Sequence, residues 1–290
     1  MKQYLKKERF QYRIHIRSRH PSHSGLRKLD CLPKLPFRSI VRFGSQTLIE
    51  DNKKRISLND PEAISNSCNK LKMKKCFDTL KVKTAMWWTY NMSNRTFNLR
   101  GTESDVKDEY QLPYPIISKH VFGSRGKGNT KIDNPKDMIE WLSRHNNTSS
   151  YIFEVYHSFS REYRLHVNKN GCFYTCRKML KSDTPEEKRW FRNDSNSVWI
   201  LEDNINFQKP INWNEIIEHS VNALKSVGLD FGAVDLKVQG ETNNGKQRET
   251  CDFIVIEINS APSFGDVTLE KYKIEIPKML IEKHNLQLTD

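Results

Sequence analysis

No apolar run in the 290 residues approaches the ~20 that a membrane-spanning helix requires, so the sequence gives no sign of a helical membrane protein. The opening stretch MKQYLKKERFQYRIHIRSRH carries cations but no apolar core, which is not the pattern of a secretory signal. Cysteine is sparse and scattered, at 31, 68, 76, 172, 176 and 251. Only Cys172 and Cys176 are close, on an expected strand and without a second Cys or His pair at ligand spacing. Free thiols in a cytoplasmic protein are therefore expected, rather than a zinc site or a disulfide framework. Two nucleotide signatures are also missing, the Gly-Lys-Ser/Thr of a P-loop and the GxGxxG of a dinucleotide fold. Acidic residues are scarce early in the chain: residues 1–60 hold 15 Lys/Arg against 5 Asp/Glu, whereas 141–290 hold 19 against 21. The excess of +13 thus lies towards the N-terminus and suits an acidic macromolecule or polyanionic acceptor, or a solvated basic face.

What is present is an aromatic-rich chain, with 14 Phe, 10 Tyr and 6 Trp, long enough for two lobes around a cleft. Its most pointed stretch is Pro115 to Thr130, PIISKHVFGSRGKGNT. A short apolar run leads to Lys119, and then Gly123, Gly126 and Gly128 surround Ser124, Arg125 and Lys127. Glycines let backbone N–H groups approach an anion, a hydroxyl donates and the cations neutralise charge, so the loop suits phosphate. By itself it equally suits a basic surface turn.

Alternation predicts strands at 12–16, 38–43, 81–88, 151–156, 162–167, 172–178, 231–238 and 253–259. Helices are expected from Glu62 to Leu80, from Pro135 behind an Asn134 cap, and from Asn212 to Val227 ahead of Gly228. Of the cluster Lys70, Lys72, Lys74 and Lys75, most are expected in solvent. Glu162, Arg164 and His166 share one strand face. Asp235 and Glu257 are embedded in two apolar strands that should pair antiparallel, with Asn259 on the same face as Glu257. Buried carboxylates need a compensating cation, and three hard oxygen ligands suit Mg²⁺ completed by phosphate and water; salt-bridged strand acids are the other reading.

In order, Lys70, Lys119, the 123–129 loop, Glu154, Glu162, Asp235 and Glu257-Ile258-Asn259-Ser260-Ala261-Pro262 resemble the ATP-grasp superfamily over residues 65–265. The likeness is nearest to its ribosomal-protein glutamate ligase branch, with D-alanine ligases and glutathione synthetases more distant. It implies an α+β fold, two lobes gripping ATP between antiparallel sheets. It implies that Lys70 and Lys119 meet the phosphates, that Gly123, Ser124, Gly126, Lys127 and Gly128 close over them, and that Glu154 with the Val155–Tyr156 backbone reads adenine. Glu162 would hold the ribose, and Asp235, Glu257 and Asn259 the Mg²⁺, or Mn²⁺. Arg164, Lys178 and Arg192 resemble positions near the γ-phosphate or acyl substrate, Arg164 or Arg192 steadying an oxyanion. Ala233 stands where D-alanine ligases carry an arginine, which argues against a D-alanine substrate.

The implied activity is an ATP-dependent carboxylate–amine ligation through an acyl phosphate, on a small-molecule or peptide carboxylate and an amine acceptor. Its alternatives are an ATP-grasp kinase of a polyanionic alcohol, and a nucleic-acid-binding protein with a vestigial ATP site. The expected organisation is a short basic N-terminal region over 1–60, a phosphate-loop lobe over 61–150 and a metal-binding lobe over 151–290. No membrane partner is expected, and a nucleic acid partner or an oligomer is compatible with the chain.

Overall fold

The computed structural model describes residues 13–16, 39–46, 56–124, 126, 128–193, 195–263 and 265–283. Most of the basic N-terminal region, and Arg125 and Lys127 of the glycine loop, lie outside them. A small parallel sheet is made of β1 (Arg13–Ile16), β2 (Ser39–Phe43) and β3 (Ile56–Leu58). Asn59 ties this sheet to the rest. Its N–H donates to Asp230 at 2.7 Å, its side-chain oxygen accepts from the Asp230 and Phe231 amides, and its amide nitrogen donates to the Arg42 and Phe231 carbonyls.

The expected helix over 62–80 is two helices, α1 (Pro61–Cys68) and α2 (Lys70–Thr79). Asn69 adopts an extended conformation between them and caps α2 by accepting from the Lys72 N–H, which places Lys70 at the first helical position. The strand expected from 81 begins only at Trp87. Lys83 and Thr84 instead lie along the edge of the sheet that carries the C-terminal strands, where the Lys83 carbonyl accepts from the Val255 N–H at 2.8 Å.

Two antiparallel sheets form the body. The first contains β4 (Trp87–Asn91), β5 (Thr96–Leu99), β6 (Val106–Lys107), β7 (Ile116–His120), β8 (Thr130–Ile132) and β9 (Tyr151–Val155), ordered β6-β5-β4-β9-β7-β8. Its back is covered by α3 (Pro135–Arg144), whose Met138 and Trp141 pack on Trp88, Phe97, Ile116 and Phe153. Because β9 lies between β4 and β7, this sheet runs past the boundary expected at 150.

The second sheet contains β10 (Arg161–Asn168), β11 (Gly171–Leu180), β12 (Ser197–Leu201), β13 (Phe231–Val238) and β16 (Phe253–Asn259), ordered β12-β11-β10-β13-β16; a small ribbon, β14 (Thr242–Asn243) with β15 (Lys246–Gln247), links the last two. The back of this sheet packs on α4 (Trp213–Val227) together with α1 and α2, through Tyr163, Leu165, Val234, Leu236, Phe253 and Val255 against Ile64, Met73, Phe77, Ile216 and Leu224. Gly228 closes α4 with φ +83°, which disfavours any other residue there. A last helix, α5 (Asp266–Lys283), was not evident from the sequence; its Leu269, Tyr272 and Ile276 pack on Val41, Phe43 and Phe231.

One irregularity positions the site. Along β16, Phe253 and Val255 face the helices, and strict alternation would send Glu257 the same way. The register with β13 slips between Asp235 and Leu236, so that Leu236 faces Val255 whereas Asp235 faces Glu257. Ile256 is the extra residue of this bulge, and it turns Glu257 and Asn259 to the face that carries Asp235.

Candidate active site

The front of the five-stranded sheet presents two polar rows set by strand register. Glu162 is flanked by Lys178 and Lys237, and one pair further along Arg164, Asp235 and Glu257 stand side by side. The apolar alternates Tyr163, Leu165, Val234 and Leu236 hold these strands on the helices, so the polar residues have only the cleft to face. Arg164 forks onto Asp235 at 2.7 and 2.8 Å, and its guanidinium lies 4.8 Å from the Trp199 ring. The Asn259 amide bridges Asp235 at 3.1 Å and Glu257 at 3.3 Å.

The six-stranded sheet faces these rows with Lys119 on β7 and Glu154 on β9. Ile117 pairs directly with Glu154, and Lys119, two residues on, shares that face and donates to Glu154 at 2.7 Å. Lys74 reaches the same carboxylate from α2 at 3.3 Å, and donates to the Thr84 hydroxyl, which bonds the Val255 carbonyl at 2.8 Å. Lys74 is fully buried, the exception in a cluster whose Lys72 and Lys75 are exposed as expected. Lys70 completes the set: its ammonium lies 3.5 Å from Glu257 and donates to the Gly123 carbonyl, at the base of the glycine loop. Beyond that point Ser124, Gly126 and Gly128 are exposed, with φ of +70° and +76° at the two glycines.

The electrostatics follow from this pairing. Burial alone would raise the Glu154 carboxyl, but Lys119 and Lys74 outweigh it and hold the pKa down at about 2. Lys74 is pulled down to about 8 by burial, partly offset by Glu154. Burial would also raise Glu257, yet Lys70 and Lys119 keep it below the usual range. Glu162 is the reverse case, raised because burial exceeds the pull of Lys178 and Arg192.

Lys70, Lys119, Glu154, Glu162, Arg164, Asp235, Glu257 and Asn259 therefore converge on one cleft. Lys178 and Arg192, expected near the γ-phosphate or the acyl substrate, lie beside Glu162 in the same cleft. Lys178 donates to the Arg192 carbonyl at 3.2 Å, and the Arg192 guanidinium lies 3.7 Å from Glu162 and donates to the Ser160 carbonyl at 2.6 Å. Along the Val155–Tyr156 backbone, expected to read the ring edge, the two N–H groups donate to the Met86 and Pro115 carbonyls, each at 2.9 Å.

Lys74 and Lys237 had not been singled out from the sequence. Each had a signal: Lys74 is four residues from Lys70 on a helix, and Lys237 two from Asp235 on a strand, hence on the same faces.

Among the described residues no group of three or more His, Cys, Asp or Glu could hold a metal ion. A cation at Asp235 and Glu257 would rest on two carboxylates and the Asn259 amide, whose oxygen takes the place of its nitrogen on a half-turn. Two carboxylates with room for phosphate and water fit Mg²⁺.

No protein-family profile and no curated sequence matches the chain. Solved structures do. D-alanine–D-alanine ligase from Bacillus anthracis, in complex with ATP, is similar at TM-score 0.58 and 12% identity over 96% of each chain. A second structure of that enzyme gives 0.57 and 12% over 94% of this chain and 96% of the ligase. N5-carboxyaminoimidazole synthetase from Staphylococcus aureus, in complex with ADP, is similar at 0.57 and 17% over 87% of this chain; the match spans 62% of the synthetase. The protein is thus of the α+β class, two antiparallel sheets facing each other across a polar cleft. Within that class its fold is ATP-grasp. No described helix is long and apolar enough to cross a membrane.

Proposed function

We propose that the chain is an ATP-dependent carboxylate–amine ligase, nearest in kind to the ribosomal-protein glutamate ligase branch. The observation that carries this reading is the convergence, in one cleft, of Lys119 and Glu154 from one sheet with Arg164, Asp235, Glu257 and Asn259 from the other. Without nucleotide each cation is neutralised by a carboxylate: Lys119 by Glu154, Lys70 by Glu257, Arg164 by Asp235. Asp235, Glu257 and Asn259 would hold magnesium or manganese, which would supply positive charge against the phosphate oxygens. Lys70, Lys119 and Arg164 offer cations to the triphosphate, and Lys74 keeps Glu154 compensated as Lys119 turns to it.

In the first step a substrate carboxylate oxygen attacks the γ-phosphorus and ADP leaves. The carboxylate, a poor electrophile, becomes an acyl phosphate with a good leaving group. An amine then attacks the acyl carbon, phosphate leaves and the amine loses a proton, giving the amide. Arg164, beside the metal residues, is placed to steady the oxyanion. The glycine loop, anchored through Gly123 to Lys70, covers the phosphates and keeps water from the acyl phosphate. The basic region 1–60, with 15 Lys/Arg against 5 Asp/Glu, supplies charge suited to an acidic substrate.

The test is product analysis. Incubation with Mg-ATP and mixtures of carboxylates and amines is expected to release ADP and phosphate only when both substrates are present, with the amide found by mass spectrometry. Formation of AMP, or of ADP with an alcohol and no amine, would contradict the proposal; the second outcome would identify a kinase.

A further inference from the structure

The segment between β11 and β12 folds back over the end of the five-stranded sheet, where the Trp190 carbonyl accepts from Lys237 at 3.5 Å and Arg192 donates to the Ser160 carbonyl at 2.6 Å. A cavity of about 300 Å³ lies there. Its lining is mostly polar and its charge has one sign: Arg177, Arg189, Arg192 and Lys237 contribute to it, and no carboxylate does. The neighbouring cavity of about 670 Å³, which shares Tyr156 and Trp190, is balanced instead, with Lys131 and Arg189 among Asp133, Glu186 and Glu187. Glu162, on the adjoining β10, does not neutralise the smaller cavity. It is shared, paired in register with both Lys178 and Lys237 and 3.7 Å from Arg192.

Arg177 is held by groups that do not line the cavity, its Nη1 donating to the Asn206 carbonyl at 2.8 Å and the Gln208 side-chain oxygen at 2.6 Å. The other three cations keep bonding capacity. The Arg192 side chain is 7% exposed and its Nε has no hydrogen-bond partner. Lys237, 9% exposed, uses two of its three N–H groups on the His157 and Trp190 carbonyls, which leaves one. Arg189, exposed, donates to the Thr184 carbonyl and lies 3.6 Å from the exposed Glu186. Cations in a partly enclosed site without a matching carboxylate attract an anion more strongly than they would in bulk water. Three of them match the three terminal oxygens of a phosphate monoester, each oxygen taking a charge-assisted hydrogen bond, whereas a carboxylate has only two oxygens to offer. At ~30 Å³ for each water molecule the cavity holds about ten, room for a phosphate with a small organic body but not for a nucleoside triphosphate. Tyr156, Met179 and Trp190 give that body an apolar wall.

We infer that this cavity is a second anion site, for a small phosphate monoester, beside the phosphate cleft at Asp235 and Glu257. Calorimetric titration of inorganic phosphate and of phenyl phosphate, without nucleotide or magnesium, into wild type, Arg189→Ala, Lys237→Met and Lys119→Ala tests it, after circular dichroism confirms that each is folded. Wild type is expected to bind both probes, phenyl phosphate the more tightly. Arg189→Ala and Lys237→Met should each weaken binding by about tenfold, the scale of one charge-assisted hydrogen bond. Lys119→Ala, which removes a cation from the phosphate cleft and none from the cavity, should bind close to the wild-type value. Should Lys237→Met not fold, the change at the exposed Arg189 still decides the matter. Binding lost in Lys119→Ala and unchanged in Arg189→Ala would assign the anion to the phosphate cleft, overturning the second site while the nucleotide reading stands. A wild type that binds neither probe would overturn the second site as well.

Discussion

Glu257→Gln is expected to lower ATP turnover by about 100-fold or more, the scale on which removing one preorganised charge-stabilising group acts. Glu257 is one of the two carboxylates the bulge at Ile256 brings together, and the amide that replaces it cannot neutralise a divalent cation. The fold should tolerate the change. Glu257 is half-buried, with its side chain 26% exposed, and the cation it leaves behind, Lys70, retains its bond to the Gly123 carbonyl. The checks are steady-state ADP release over a magnesium titration, and a thermal midpoint close to wild type. Activity restored to wild-type level by high magnesium would show that Glu257 contributes affinity for the ion but nothing to the chemistry.

Lys119→Ala should also remove turnover, again by about 100-fold or more, because no neighbouring cation occupies its place over the phosphates. Its stability cost should be well below the ~3–5 kcal/mol expected for breaking a buried ion pair outright. Lys74 remains 3.3 Å from Glu154, so the carboxylate is not left alone. Glu154→Ala is the contrasting case: it strands two buried lysines and should reach that full range. Urea denaturation of both variants measures the difference, and equal losses would mean that Lys74 does not share the charge of Glu154.

Much of the site was legible before the fold was. Glu162, Arg164 and His166 alternate with Tyr163, Leu165 and Val167, and period two is enough to set Glu162 and Arg164 on the cleft and the second trio on the core; His166 shares the first face but is buried under α5, its ring nitrogen 3.0 Å from the Tyr272 hydroxyl. The Asn134–Pro135 start of α3 was equally readable, since the Asn134 side chain accepts from Asp137 N–H as a cap should. Pairing Glu257 with Asp235 was right in outcome, but the reason lay outside the pattern: alternation from Phe253 puts Glu257 in the core, and only the Ile256 bulge turns it outward. A bulge is settled by the partner strand, which a single sequence does not display. The burial of Lys74 has a similar origin. Its spacing of four from Lys70 gives it a shared helix face, but its burial depends on contact with Glu154 of the six-stranded sheet, which local spacing does not show. Lys178 and Arg192 fell at Glu162 because their places depend on the β10–β11 register and on the loop before β12, neither fixed by local spacing.

The central claim is that this cleft is built for a metal-bound nucleoside triphosphate, and thermal unfolding of the wild-type chain with millimolar ATP, with and without magnesium, tests it most directly. A ligand held at ~100 times its dissociation constant stabilises the folded state by about 2.7 kcal/mol, which corresponds to a midpoint shift of several degrees. The predicted result is a shift of that size with ATP and magnesium together, most of which is lost on adding EDTA and in Glu257→Gln. An unchanged midpoint for the wild type at every ATP and magnesium concentration would contradict it.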